Sequence, residues 1–112
     1  MNARNTLKIH LHPIPDNSYK LYIYLDAKKV GNDLDALCIL TPKHGGIECN
    51  TTIGTLPYNV LTEIAQIVYD MGYDTLFYMS VKKGYPFIST ARFSYASEGH
   101  DYYAVDLLEY FS

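Results

Sequence analysis

A chain of 112 residues, 48% hydrophobic and 19% charged, has the balance of one globular domain with a single core, here taken as residues 1–112, and not that of a disordered segment. A net charge of −3, with the basic residues scattered, argues against a nucleic-acid partner, which needs a basic patch or stripe. No apolar run reaches the ~18 residues of a membrane helix, and the N-terminus lacks a signal-peptide core, so the expectation is a cytoplasmic protein off the membrane.

Residues 6–12 alternate, with Leu7, Ile9 and Leu11 against Lys8, His10 and His12, as a half-buried strand does. Pro13 and Pro15 break it, and Asp16-Asn17-Ser18 reads as a turn. Residues 19–26 alternate again, Leu21, Ile23 and Leu25 against Lys20, Tyr22, Tyr24 and Asp26. After a polar connection through Gly31 and Asn32, residues 36–41 form a continuous apolar run, the pattern of a strand covered on both faces. A turn from Pro42 to Gly46 leads to a fourth strand, in which Ile47, Cys49, Thr51 and Ile53 oppose Glu48, Asn50 and Thr52.

Residues 57–72 carry the one clear helical period. Val60, Leu61, Ile64, Ile67, Val68 and Met71 make an apolar stripe, Pro57 suits the first turn, and Gly72 suits the end. Next, Thr75, Phe77, Met79 and Val81 alternate against Leu76, Tyr78, Ser80 and Lys82. Gly84 and Pro86 mark a turn before a sixth strand over 87–96, with Phe87, Ala91, Phe93 and Tyr95 on one side. Residues 97–100 are a loop, and the last stretch begins as a strand, with a period ambiguous between strand and a closing helical turn.

These elements predict an α+β fold: a mostly antiparallel, twisted sheet of six to seven strands with one central helix on one face, in the order β-β-β-β-α-β-β-β. The strand–helix–strand crossover should place residues 47–53 and 75–82 parallel. The expected core is Leu7, Ile9, Leu21, Ile23, Leu25, Leu37, Ile39, Ile47, Ile53, Leu61, Ile64, Val68, Phe77 and Met79. Thr55 to Asn59 would sit where a strand end meets a helix N-terminus, a geometry that favours anions.

A meander, a helix abutting the end of its last strand, and a following strand GYDTLFYM resemble the core of the GNAT-type N-acyltransferases. GGIECNTTIG resembles the strand before that family's acyl-CoA loop. The resemblance rests on element order over roughly residues 19–82. It implies acetyl-CoA as cofactor, held around Gly54, Thr55, Tyr58 and Asn59. It also implies Glu48 as general base towards an amine, with Tyr102 or Tyr103 as proton donor to a leaving thiolate. The family's Gln/Arg-x-x-Gly-x-Gly/Ala loop is IGTLPYN here, which keeps only Gly54 and loses an amide donor at Pro57.

Other chemistry is thin. His10 and His12 share a strand face and could chelate zinc with a third ligand from His44, His100, Glu48 or Asp101. Two ligands are not a site, so no metal is expected. Cys38 and Cys49 lack CxxC spacing and are expected as buried free thiols. The basic and aromatic mixture over 82–95 is offset by Glu98, Asp101 and Asp106, which disfavours single-stranded nucleic acid. No nucleophile elbow, Walker loop, zinc-protease or dinucleotide motif occurs.

Twelve tyrosines and no tryptophan are the compositional oddity. Tyrosine packs its ring on a pleated face while its hydroxyl stays wet, and it anchors protein interfaces. Tyr22, Tyr24, Tyr78 and Tyr85 are the candidate partner-binding residues. The leading expectation is a non-catalytic, cofactor-free module that binds a protein through this face, as an inhibitor or regulator of the kind phages and plasmids encode, or as a homodimer. The alternative is a minimal GNAT-like acyltransferase dependent on acetyl-CoA.

Overall fold

Alternation of apolar and polar residues sets four strands in succession, and the computed structural model describes them within residues 8–24, 34–43, 45–54, 58–80 and 88–112. They are β1 (Lys8–Ile14), β2 (Ser18–Tyr24), β3 (Ala36–Lys43) and β4 (Gly46–Ile53); then follow α1 (Tyr58–Asp70), β5 (Thr75–Met79), β6 (Arg92–Ser97), β7 (His100–Asp106) and α2 (Leu107–Tyr110). The strands form one sheet in the order β1-β2-β3-β4-β5-β7-β6. The sheet is mixed: β4 and β5 run parallel across α1, and the other neighbours are antiparallel. The last strand inserts between β5 and β6 of its own chain.

The turns follow from their residues. Asp16 and Asn17 take positive φ in the β1–β2 turn, as short polar side chains tolerate. In the β6–β7 turn Glu98 and Gly99 are both left-handed, the geometry whose twist matches the flanking strands.

The apolar stripe of α1 buries Val60, Leu61, Ile64, Ala65 and Val68 against one face of the sheet. The helix stops at Gly72, φ 98°, where Tyr73 N donates to Val68 O at 3.3 Å. The second helix departs from the single-helix expectation. Asp106 caps it, accepting on Oδ1 from Leu108 N at 3.0 Å and Glu109 N at 3.3 Å. Stacking of Phe111 on Tyr69, centroids 4.8 Å apart, seats it beside α1.

The helix-covered face carries Leu21, Ile23, Ala36, Cys38, Leu40, Ile47, Cys49, Leu76, Tyr78, Tyr103 and Val105, all buried. Three expectations about the core are corrected. In β3, Ala36, Cys38 and Leu40 face α1, while Leu37 and Ile39 are half-buried on the opposite face. A run apolar at every position does not disclose its parity; pairing with Leu21 and Cys49 sets it. In β5, Leu76 and Tyr78 face α1 because they pair with Ile47 and Cys49, so Phe77 and Met79 lie on the open face, where Phe77 is still buried as expected and Met79 is half-buried. Ile53 is 51% exposed. A bulge at Thr52 sets Ile53 opposite Leu37 while Thr51 pairs with Cys38, which turns Ile53 off the helix face. Leu7 and Leu25 lie outside the described residues.

Gly46 is where β4 starts hard against β5. A Cβ there would lie 2.6 Å from the Thr75 carbonyl oxygen, so only glycine fits. Among the described residues no helix is long and apolar enough to cross a membrane.

Candidate active-site cleft

The parallel pair β4–β5 holds for only three residue pairs, Ile47↔Leu76, Glu48↔Phe77 and Cys49↔Tyr78, and then parts. Beside the parting, on the open face, lies a cleft of about 350 Å³. It is lined by Lys43 of β3, by Glu48, Asn50, Thr51 and Thr52 of β4, and by Met79 of β5. Ser97, Glu98, His100 and Tyr102 close it from the β6–β7 hairpin.

Glu48 is the centre of its chemistry. Its side chain is 16% exposed, and Lys43 Nζ donates to Oε2 at 3.1 Å. The Tyr95 hydroxyl donates to the same oxygen. Lys43 Nζ also stands 4.1 Å above the centre of the Tyr95 ring, a cation–π contact that ties both donors together. Tyr95 stacks on Tyr102, centroids 4.9 Å apart and planes within 8°, and Phe77 lies 5.9 Å from Tyr95. Glu48 Oε1 is left without a donor among the described residues.

Local register builds this group. Thr41 pairs with Glu48, so the β3–β4 hairpin returns Lys43 beside the carboxylate. In β6 a bulge at Ser94 turns Tyr95 towards Tyr102 while Phe93 stays against Tyr103. Phe93 and Tyr95 therefore part to opposite faces, where the sequence reading had them together. Burial, with the Glu48 hydrogen bond, pushes the Tyr95 phenol far up. Burial and the nearby Glu48 charge push Tyr102 up as well. Both phenols keep their protons at neutral pH, beside an acceptor carboxylate.

The predicted residues fall in several places. Glu48 and Tyr102 both line the cleft. Gly54 ends β4 with φ 75°, packed so closely that a Cβ would run into the Asp35 carbonyl oxygen. Tyr58 and Asn59 are exposed on the first turn of α1, which holds no acidic residue. A hydrogen bond ties Tyr58 to Tyr110, whose phenol is pushed up by burial first and by that bond second. Thr55 and Tyr85 lie outside the described residues.

Of the partner-binding candidates, Tyr22 and Tyr24 are half-buried on the open face, away from the cleft. Each meets a histidine edge-on, Tyr22 with His12 at 5.1 Å and Tyr24 with His10 at 5.8 Å. Tyr78 is a correction: it is 1% exposed within the core, with its phenol pushed up to about 12 by burial, and no partner can reach it.

The metal ligands weighed in the sequence do not converge. His10 and His12 lie on β1, with β2 and β3 between them and Glu48, and His44 lies outside the described residues. Cys38 and Cys49 are buried, free thiols on one face of neighbouring strands. The Cys38 hydrogen bond and burial push the Cys49 thiol well up.

Tyr95 and Lys43 were missed. The pairing of a carboxylate with a lysine across the 42–46 turn was available in the sequence. Tyr95 was hidden, because a bulge leaves no mark on alternation.

No family model matches the chain, and neither does any curated protein sequence. Solved structures do. PaiA N-acetyltransferase from Thermoplasma acidophilum, in complex with coenzyme A, superposes with a TM-score of 0.51 at 11% identity, over 80% of this chain and 60% of that one. An acetyltransferase-type GNAT protein from Desulfovibrio desulfuricans gives 0.49 at 12% identity, over 80% and 69%. At such identity the likeness is one of fold: the chain has a GNAT-like fold and spans 60% of the length of the Thermoplasma enzyme.

Proposed function

We propose that this chain is a compact GNAT-type N-acyltransferase domain of the cytoplasm, which takes its acyl group from acetyl-CoA. The carrying observation is the cleft at the parted β4–β5 pair, where Glu48, held by Lys43 and Tyr95, shares a wall with the buried phenol of Tyr102. The GNAT-like fold, shared with a coenzyme A-bound enzyme, supports the reading.

The chain's own residues fit such a cofactor. α1 has 13 residues, starts at Tyr58, and carries no acid in its first turn. The first-turn amides of a helix, which find no partner within it, and the helix dipole suit a phosphate group. Pro57 offers no amide, so Tyr58, Asn59 and Val60 at the helix start would supply the donors. Acetyl-CoA there would supply an activated acyl group. Glu48 takes the proton of an attacking amine through Oε1, the oxygen its two donors leave open. Lys43 and Tyr95 fix the orientation of that carboxylate, and the Tyr102 phenol, whose proton burial holds more tightly, would be the acid available to a leaving group in the cleft.

The non-catalytic inhibitor reading gains no support specific to it, and the burial of Tyr78 removes one of its four anchors. The deciding experiment is titration of the purified chain with acetyl-CoA, followed by acyl transfer to small amines. Binding should release or absorb heat and raise the melting temperature, since a ligand of the native state stabilises it. Glu48→Gln should keep that binding and lower transfer by about 10²–10⁴-fold, the usual contribution of a positioned base. No heat and no thermal shift would rule the reading out.

A further inference from the structure

The β1–β2 end of the sheet is unused by the cleft, which takes only Lys43 from β3, and its charge differs from that of the whole. The chain carries −3, yet β1, β2 and β3 contain no Asp or Glu; they hold Lys8, Lys20, Lys43, His10 and His12. Lys43 is engaged with Glu48, which leaves the ammonium groups of Lys8 and Lys20 and the imidazoles of His10 and His12 as a band of hydrogen-bond donors beside the rings of Tyr22 and Tyr24, with no acidic residue within β1, β2 or β3.

This band lies along an edge. Among the described residues β1 ends the sheet order, and its side chains are exposed at Lys8, His10, Leu11, His12 and Pro13. Pro13, which has no amide hydrogen, sits on this edge strand, where proline is tolerated. On the helix side of the same strand, Leu11 is 40% exposed and Ile9 only partly packed against the core. Residues 8–12 thus present two strips at once: basic on the open face, apolar on the helix face. An edge strand pairs readily with an added strand, whose side chains alternate in step with its own.

From this register we infer that β1 is a docking edge for an extended segment of another protein, with acidic and apolar residues alternating in the order acidic–apolar–acidic–apolar–acidic. Three carboxylates then lie beside Lys8, His10 and His12, and two apolar side chains cover Ile9 and Leu11. Either strand direction satisfies the pattern, because the faces are unchanged by reversal. A second copy of β1 does not satisfy it. A second β1 holds no Asp or Glu, so it offers Lys8 no carboxylate across the strand pair. The inference is independent of the acyltransferase reading and uses none of its residues.

The test uses the intact chain and fluorescein-labelled peptides with a Glu-Val-Glu-Val-Glu core. Anisotropy at low salt should show saturable binding that weakens as salt rises, with amide shifts in ¹⁵N NMR at residues 9–12. A Val-Val-Glu-Glu-Glu peptide of the same composition should bind more weakly, because it matches charge but not register. Lys8→Glu with His12→Glu, checked for an intact fold by circular dichroism, should weaken the alternating peptide about tenfold, two reversed cross-strand charge pairs. The same variant should bind a Lys-Val-Lys-Val-Lys peptide better than the parent does. Equal binding of the block peptide, shifts confined to the cleft, tighter binding of an oligothymidylate, or a peptide-free dimer with protected β1 amides would each overturn the proposal.

Discussion

Follow one row of side chains across each face of the sheet. On the helix-covered face the row runs Tyr19, Leu40, Cys49, Tyr78, Tyr103, and α1 lies over it, so the last four are buried. On the open face it runs His10, Tyr22, Leu37, Ile53, and exposure ranges from half-buried to open. Both rows contain tyrosine. In one, the ring is core and the hydroxyl is withheld from water; in the other, the ring props a histidine at the surface. Residue type does not decide which role a tyrosine takes. Strand register does, because one step along a strand exchanges the faces.

The sharpest way to break this comparison is to truncate one tyrosine from each face. Tyr78→Ala should cost about 3–5 kcal/mol, as removal of a large buried ring does. Tyr22→Ala, half-buried at the open face, should cost under about 1 kcal/mol. Urea unfolding measures both; similar losses would mean that the two faces are not distinct in energy.

Alkaline pH tests the buried tyrosines next. Burial holds the Tyr78 phenol up to about 12 against an ordinary 10.0. The folded state thus keeps this proton more tightly than the unfolded chain. Its contribution is complete below pH 10 and is lost as pH rises towards 12. Tyr95 and Tyr102 shift in the same direction. Stability should therefore fall between those pH values, and Tyr78→Phe should make the fall shallower. An unchanged slope in that variant would show that Tyr78 titrates as it does in the unfolded chain.

Where one face of an element is polar, the sequence discloses its orientation: Leu21 and Ile23 against Lys20 and Tyr22, or the stripe of α1, point as expected. Where both faces are apolar, it does not. ALCIL in β3 and LFYM in β5 could face either way on composition alone, and pairing with β2 and β4 decides. The site divides similarly. Glu48 and Tyr102 were legible through element order, since a fold places its cleft by topology. Tyr95 was not, because the Ser94 bulge that delivers it to Glu48 is a property of pairing and not of period.

The smallest effect tests that last point at the other bulge. By alternation Ile53 belongs with Ile47 and Cys49, and its loss should then hurt the core. The Thr52 bulge instead sets it opposite Leu37 and leaves it 51% exposed, while the Thr52 hydroxyl donates to Leu37 O at 3.1 Å and pins the displaced register. Ile53→Thr should therefore change stability by no more than about 0.5 kcal/mol, the range of ordinary surface substitutions. Ile47→Val, at a position with no exposure, should cost about 0.5–1.5 kcal/mol for a smaller chemical change. A larger loss at Ile53 than at Ile47 would put Ile53 back on the helix face and remove the bulge. β4 would then stay regular to its end, and the backbone turn that brings Gly54 against Asp35 ahead of α1 would need another cause.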